Sequence, residues 1–242
     1  MALVALPLLG ATLTACTPPP PRVLVLGDSI SSEVRASSEA THWLDQSSNN
    51  VDWSGTRFMS APCNGLRALR DLKYVPDVVI INYIGNNFSF SENCMNGEQG
   101  QALVDRYLRD LGAIGRALKN GHTRISIVGS PAHAAHRADS DAIFTAYKKF
   151  ATDHHLTFVD GGAYLTPDRV PVRTAACLKR ETGRYCGTTG GPGRNIIRDK
   201  DLEHLCPGPI DVYSRCQSYS SGAVRLGIQF GVAIDKAVLP HQ

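Results

Sequence analysis

The sequence is short of the features that mark a nucleic-acid or metal-cluster protein. Its 25 Lys and Arg against 22 Asp and Glu leave a formal charge of only +3, and no basic run is interleaved with aromatics. That excludes the electrostatic footprint of a nucleic-acid binder; the scattered charges read as a solvated surface. None of the seven cysteines forms a CxxC pair, which argues against a zinc ribbon or a thioredoxin-like site. Gly187 to Arg194 is glycine-rich but lacks the Lys-Ser/Thr of a phosphate loop, so it reads as a mobile loop near a site entrance. His133 and His136, with His154 and His155 nearby, have no third ligand at suitable spacing, and no metal is expected. His133 follows a strand pattern and could line a crevice instead. No internal repeats are evident, and nothing points to a second domain.

Met1 to Ala15 carries no charge and is dominated by Ala, Leu and Val. Its length suits a signal-peptide core and falls short of the ~20 residues that span a bilayer. It ends in Leu13-Thr14-Ala15-Cys16, which resembles the bacterial lipobox, whose cysteine receives a lipid. One departure is that no Lys or Arg precedes the apolar run, as a signal n-region should have. Thr17-Pro18-Pro19-Pro20-Pro21 cannot be helical and reads as a stiff tether. The expected organisation is signal and lipobox over 1–16, tether over 17–21 and one folded domain over 22–242. This implies an extracytoplasmic protein, lipid-anchored to the membrane through Cys16 or secreted, and a monomer on its tether. With Cys16 assigned to lipid, Cys63, Cys94, Cys177, Cys186, Cys206 and Cys216 remain, an even number suited to disulfides. The simplest scheme pairs sequence neighbours, 63–94, 177–186 and 206–216, with other connectivities open.

Past the tether, apolar β-branched runs alternate with helix-length segments. Arg22 to Leu26 is a short continuous apolar run, as a strand buried on both faces should be; Asp77 to Ile84 and Arg124 to Val128 are further β-branched runs, and glycine stops all of them. Val51 to Phe58 and Leu156 to Val159 are weaker candidates. Helical spacing is clearest over Gln99–Lys119, with Leu103, Tyr107, Leu111, Ile114 and Leu118 at three- and four-residue intervals before Asn120-Gly121. Further helices are predicted over Ser140–His155 and Ser221–Val238. The alternation predicts a three-layer α/β/α fold with a central, mostly parallel sheet of about five strands. In such sheets the ligand crevice lies at the carboxyl ends of the strands. From about Ala163 to Gln217 periodicity gives way to Gly, Pro, Arg and four cysteines, which reads as a long loop region stapled by disulfides.

Three short motifs fall where chemistry is expected. The first strand runs into Gly27-Asp28-Ser29, a serine on a turn at the carboxyl edge of the sheet; taken alone, such a serine is equally a helix cap. The second run ends in Gly85-Asn86-Asn87, whose amides are placed to donate into the crevice or simply to form a turn. Asp201-Leu202-Glu203-His204 sets a histidine three residues after an aspartate, the arrangement a general base needs for a fixed tautomer.

In this order the motifs resemble the blocks of the SGNH (GDSL-like) hydrolase family, whose flavodoxin-like fold the alternation also fits. Gly27-Asp28-Ser29 matches the nucleophile block, Gly85-Asn86-Asn87 the G-x-N-D block and Asp201 with His204 the closing D-x-x-H block. Gly65 is the candidate for the single-glycine block. The likeness spans roughly Val23 to Ile234, with Phe88 in place of the usual Asp and Ile30 in place of the common Leu. The resemblance implies Ser29 as nucleophile, His204 as general base and acid, Asp201 as its orienter, and an oxyanion hole of the Ser29 and Gly65 amides and the Asn87 side chain. It needs no cofactor. The implied activity is a secreted serine esterase removing acyl groups, acetyl among them, from a cell-envelope glycan or a small ester. An acyltransferase passing the acyl group to a glycan hydroxyl is the alternative, since His204-Leu205-Cys206-Pro207 and Tyr219-Ser220-Ser221-Gly222 resemble domains joined to membrane acyltransferases. A non-catalytic glycan-binding lipoprotein is a third reading.

Overall fold

The five apolar runs assemble as one parallel sheet in the order β2-β1-β3-β4-β5, with strands β1 (Arg22–Gly27), β2 (Asn50–Ser54), β3 (Val78–Asn82), β4 (Arg124–Gly129) and β5 (Thr157–Asp160). The computed structural model describes residues 19–47, 50–54, 61–87, 94–119, 121–208 and 215–238. The expected lipobox with Cys16, the end of the expected second strand at Phe58, and Phe88 lie outside them.

Strand alternation sorts the core into two halves. Val23 and Val25 of β1 and Val78 and Ile80 of β3 face one layer, while Leu24, Leu26, Val79 and Ile81 face the other. The first layer is α1 (Ser29–Ala36), α2 (Ser38–Ser47) and α6 (Ser221–Val238), the second α3 (Pro62–Arg70), α4 (Gly100–Ala117) and α5 (Arg137–Asp153). Because β1 and β3 are covered on both faces, their buried residues are apolar except Gly27 and Asn82 at the crevice ends, and each buried apolar side chain contributes ~1.5–3 kcal/mol.

The periodic helices form where the spacing puts them. α4 buries Leu103, Tyr107, Leu111 and Ile114, and α6 runs over Ser221–Val238. α1, α2 and α3 have no counterpart in the sequence reading. α1 explains why: its buried face is Ser29, Ile30, Ser31, Glu33 and Val34, so a mostly polar face hides the hydrophobic period.

The region after β5 is more ordered than a stapled loop. β6 (Thr174–Ala176) and β7 (Arg194–Ile196) pair antiparallel, and Gly187 of the glycine-rich stretch donates its amide to Asn195 Oδ1 at 3.0 Å. Arg225 of α6 is buried, donates to the Ala176 carbonyl at 2.5 Å and stands 3.4 Å from Glu181. A buried charge needs such a partner, and here the pair sews the region to α6. No described helix is long and apolar enough to cross a membrane.

Candidate active site

The strand order reverses direction between β1 and β3, and in sheets of this order the crevice opens at that switch point. β1 delivers Gly27-Asp28-Ser29 there and β3 delivers Gly85-Asn86-Asn87. Ser29 is the first residue of α1, so its amide lies in the first turn, where no intrahelical partner exists and the helix dipole favours an anion. Gly27 is required by contact: a Cβ there would collide with the Ser31 side chain and come within 2.8 Å of the Asn82 carbonyl. The space is used by a buried chain of bonds. Ser31 Oγ donates to Asn82 Oδ1 at 2.8 Å, and Asn82 Nδ2 donates to the Val128 carbonyl at 2.8 Å and Ser130 Oγ at 3.1 Å. Three strand ends are thereby locked beneath the crevice.

Asp28 is fully buried and accepts the Ile84 amide at 2.5 Å on Oδ2. Burial pushes its carboxyl up to about 8, against the Ile84 hydrogen bond and with help from the charge of Glu203. Asp28 therefore stays largely neutral near pH 7 and ties the β1 turn to the β3 turn.

Asp201 and His204 come together as expected. Asp201 Oδ2 pairs with His204 Nδ1 at 2.6 Å, while Oδ1 accepts the Glu203 and His204 amides at 2.9 and 3.0 Å. With Nδ1 engaged by a carboxylate, Nε2 is the nitrogen left to take a proton. Burial works against both charges. Hydrogen bonds from the His204 ring and the two amides nonetheless hold Asp201 below its ordinary value. The Asp201 bond and the charges of Glu33, Asp201 and Glu203 raise His204 above its own.

The segment bearing this pair is neither helix nor strand, and it is held from several sides. Leu202 sits at φ +58, an unfavourable backbone for a branched residue. The turn closes through the Asp199 amide on the His204 carbonyl at 2.7 Å. Arg198, buried behind it, donates from Nη1 to the Leu202 and Glu203 carbonyls at 2.7 and 3.0 Å. Burial pulls the Arg198 guanidinium down to about 10, opposed by Glu203, Asp201 and Glu33, so it stays charged at neutral pH.

His133, in the loop after β4, reaches the same segment: its Nε2 lies 2.7 Å from Glu203 Oε1. Its Nδ1 accepts the Ala135 and His136 amides, both at 3.1 Å, so the proton sits on Nε2 and is donated to Glu203. Both ring nitrogens are thus committed. Asp201, Glu203 and His204 form a group close enough to surround a metal ion, yet each already has a partner, Asp201 with His204 and Glu203 with His133.

The oxyanion candidates are Asn87, in the segment after β3, and Gly65, in α3. Asn87 gives one Nδ2 hydrogen to the Glu98 carbonyl at 2.8 Å, which leaves its second N–H. Gly65 lies in α3, packed so closely on Tyr83 that a Cβ would strike the phenol oxygen. Its amide leans on the Ala61 carbonyl at 3.3 Å, a weak bond by length. The disulfides join neighbours, 63–94, 177–186 and 206–216. The first ties the start of α3 to the segment that Asn87 contacts, and the last begins two residues after His204.

Glu33, Arg198, Glu203 and Asp28 went unseen as site residues in the sequence. Only Glu33 left a trace, a spacing of four from Ser29 that puts both on one helical face.

No protein-family profile and no curated protein matches the chain. Its likeness is to solved structures. A lipase/acylhydrolase from Enterococcus faecalis is 14% identical with a TM-score of 0.53, over 92% of this chain and 99% of that one. A GDSL-like lipase from Bacteroides thetaiotaomicron is 13% identical with a TM-score of 0.52, over 90% and 89%. An acetyl xylan esterase is 14% identical with a TM-score of 0.52, over 90% and 100%. The chain has the fold of the GDSL-like, or SGNH, hydrolases, the fold that its sequence blocks imply.

Proposed function

We propose that this protein is a serine ester hydrolase that works through an acyl-enzyme. The observation that carries the reading is the Asp201–His204 pair, 2.6 Å apart, on a segment clipped to the helix that begins with Ser29. In this reading Ser29 Oγ attacks the ester carbonyl carbon while His204 Nε2 takes the hydroxyl proton. The tetrahedral intermediate collapses, and the leaving alcohol departs with that proton. Water then repeats the sequence and releases the acid. Asp201 keeps the ring in the tautomer that leaves Nε2 free and supports the imidazolium formed in each half. The Ser29 amide, the Gly65 amide and the second Asn87 N–H stabilise the oxyanion, each donor worth ~3 kcal/mol of barrier.

The substrates proposed are O-acyl esters, acetyl among them, of a cell-envelope glycan or a small ester. The lipobox-like Leu13-Thr14-Ala15-Cys16 and the proline tether support a location outside the membrane, beside such glycans. Three disulfides fit an oxidising compartment.

The test is hydrolysis of p-nitrophenyl acetate and butyrate by the wild type and Ser29→Ala. The wild type should turn over, and the variant should lose roughly 10³-fold or more. Failure of every ester, alongside measurable glycan binding, would favour a binding protein. Product analysis with a glycan acceptor present tells water from a sugar hydroxyl as the acyl acceptor.

A further inference from the structure

Glu33 is 1% exposed, one helical turn beyond Ser29 on α1. A carboxylate placed in a core must find compensating partners, and this one finds them on another element. Its Oε2 accepts the amide of Leu205, the residue after His204, at 2.5 Å. The far end of the same helix holds the return of that segment: the Cys216 amide donates to the Ala36 carbonyl at 3.2 Å, and Cys216 is bonded to Cys206. The segment bearing the base is thus docked on the helix bearing the nucleophile, with Glu33 as the side-chain contact next to His204. The charged groups facing Glu33 are His204 and Asp201 on that segment and Arg198 behind it. β1, α2 and α6 meet α1 through an apolar cluster that includes Val25, Leu44 and Phe230.

We propose that Glu33 is a positioning residue that fixes His204 relative to Ser29 and gives its imidazolium a negative charge in addition to that of Asp201. The catalytic part of this rests on the serine-hydrolase reading. Burial pushes Glu33 up to about 7, and the charge of His204 pulls it back; the charge of Glu33 in turn raises His204. Each favours the ionised form of the other, so the proton that His204 takes from Ser29 makes the Glu33 carboxylate more favourable. Asp201 cannot hold the ring against Ser29, because it belongs to the same short turn as His204 and moves with it.

The test compares wild type, Glu33→Gln and Glu33→Asp in two measurements. One is NMR titration of the His204 ring, assigned with His204→Ala; the other is the pH profile of kcat/KM on p-nitrophenyl acetate. Glutamine can still accept the Leu205 amide but carries no charge. It should lower the His204 pKa by about half a unit to one unit, the size expected for one lost neighbouring charge. The acidic limb of the profile should move down by the same amount, with kcat about 10-fold lower and KM within about 2-fold. Aspartate keeps the charge and shortens the reach, so kcat should fall while the His204 titration stays near wild type. An unmoved His204 titration in folded Glu33→Gln overturns the inference. If the glutamine variant does not fold, a fall of half a unit or more in Glu33→Asp overturns it instead. The titration needs no substrate: a wild type inert toward every ester would sink the hydrolase reading while Glu33 is still decided.

Discussion

Ser29 leaves β1 on a turn between a strand paired on both sides and a helix, and its neighbours lie in the core. Asp201 and His204 stand in a segment with no ladder or helix, half open to solvent and bent through a left-handed Leu202. The proposed nucleophile is placed by regular secondary structure, whose hydrogen bonds run between backbone groups. The proposed base is placed by side chains and a covalent link: Glu33, Arg198, His133 through Glu203, and the 206–216 disulfide. One site can therefore be rigid by two routes. The second fails residue by residue while the first fails only with the fold.

The comparison breaks most sharply at His204. His204→Ala should cut kcat by roughly 10³- to 10⁴-fold, about the loss expected for Ser29→Ala, since both serve one proton transfer. The melting temperature of His204→Ala should be nearly unchanged, because the ring is part-exposed and its loss leaves no cavity in the core.

The next largest effect concerns the covalent link. Cys206→Ser with Cys216→Ser opens a loop of 10 residues, and its closure is worth about 2–3 kcal/mol in the chain-entropy account. Chemical denaturation should register that loss. Because Glu33 and Arg198 still hold the segment, kcat should fall only about 10-fold. A drop as deep as that of His204→Ala would mean the disulfide alone carries the base.

The smallest effect tests the nucleophile side. The folded-state pKa of Asp28, about 8, lies above its ordinary value of 3.8, so its neutral form adds stability below the ordinary value, and that stability is lost as pH rises through 8. Between about pH 7 and pH 9 the wild type should lose on the order of 1 kcal/mol from this group. Asp28→Asn, which retains an oxygen for the Ile84 amide, should flatten that slope. Thermal melts at the two pH values read the difference, and an equal slope in both proteins would remove Asp28 as its source.

Much of this was legible in the chain itself. Runs such as Val23 to Leu26 and Val78 to Ile81 carry no polar alternation, so they specify strands covered on both faces. The stripe from Leu103 to Leu118 specifies α4 because burial at 3.6-residue spacing is a property of neighbouring positions. Ser29, Asp201 and His204 stood out as candidates because each motif is contiguous or nearly so. α1 was missed for the converse reason: its buried positions are filled by Ser29, Ser31 and Glu33, which serve the site rather than the core.

The sequence alone determined the strand-and-helix alternation, the neighbour pairing of the cysteines as the simplest scheme, and the candidate residues for acyl chemistry, all of which depend on local spacing. Only the tertiary structure decided what surrounds them. Glu33 lies 172 positions from Leu205, and Glu203 meets His133 across the top of the sheet. Contacts of that reach depend on how the sheet orders its strands and where its loops return, and no local pattern of side chains encodes them.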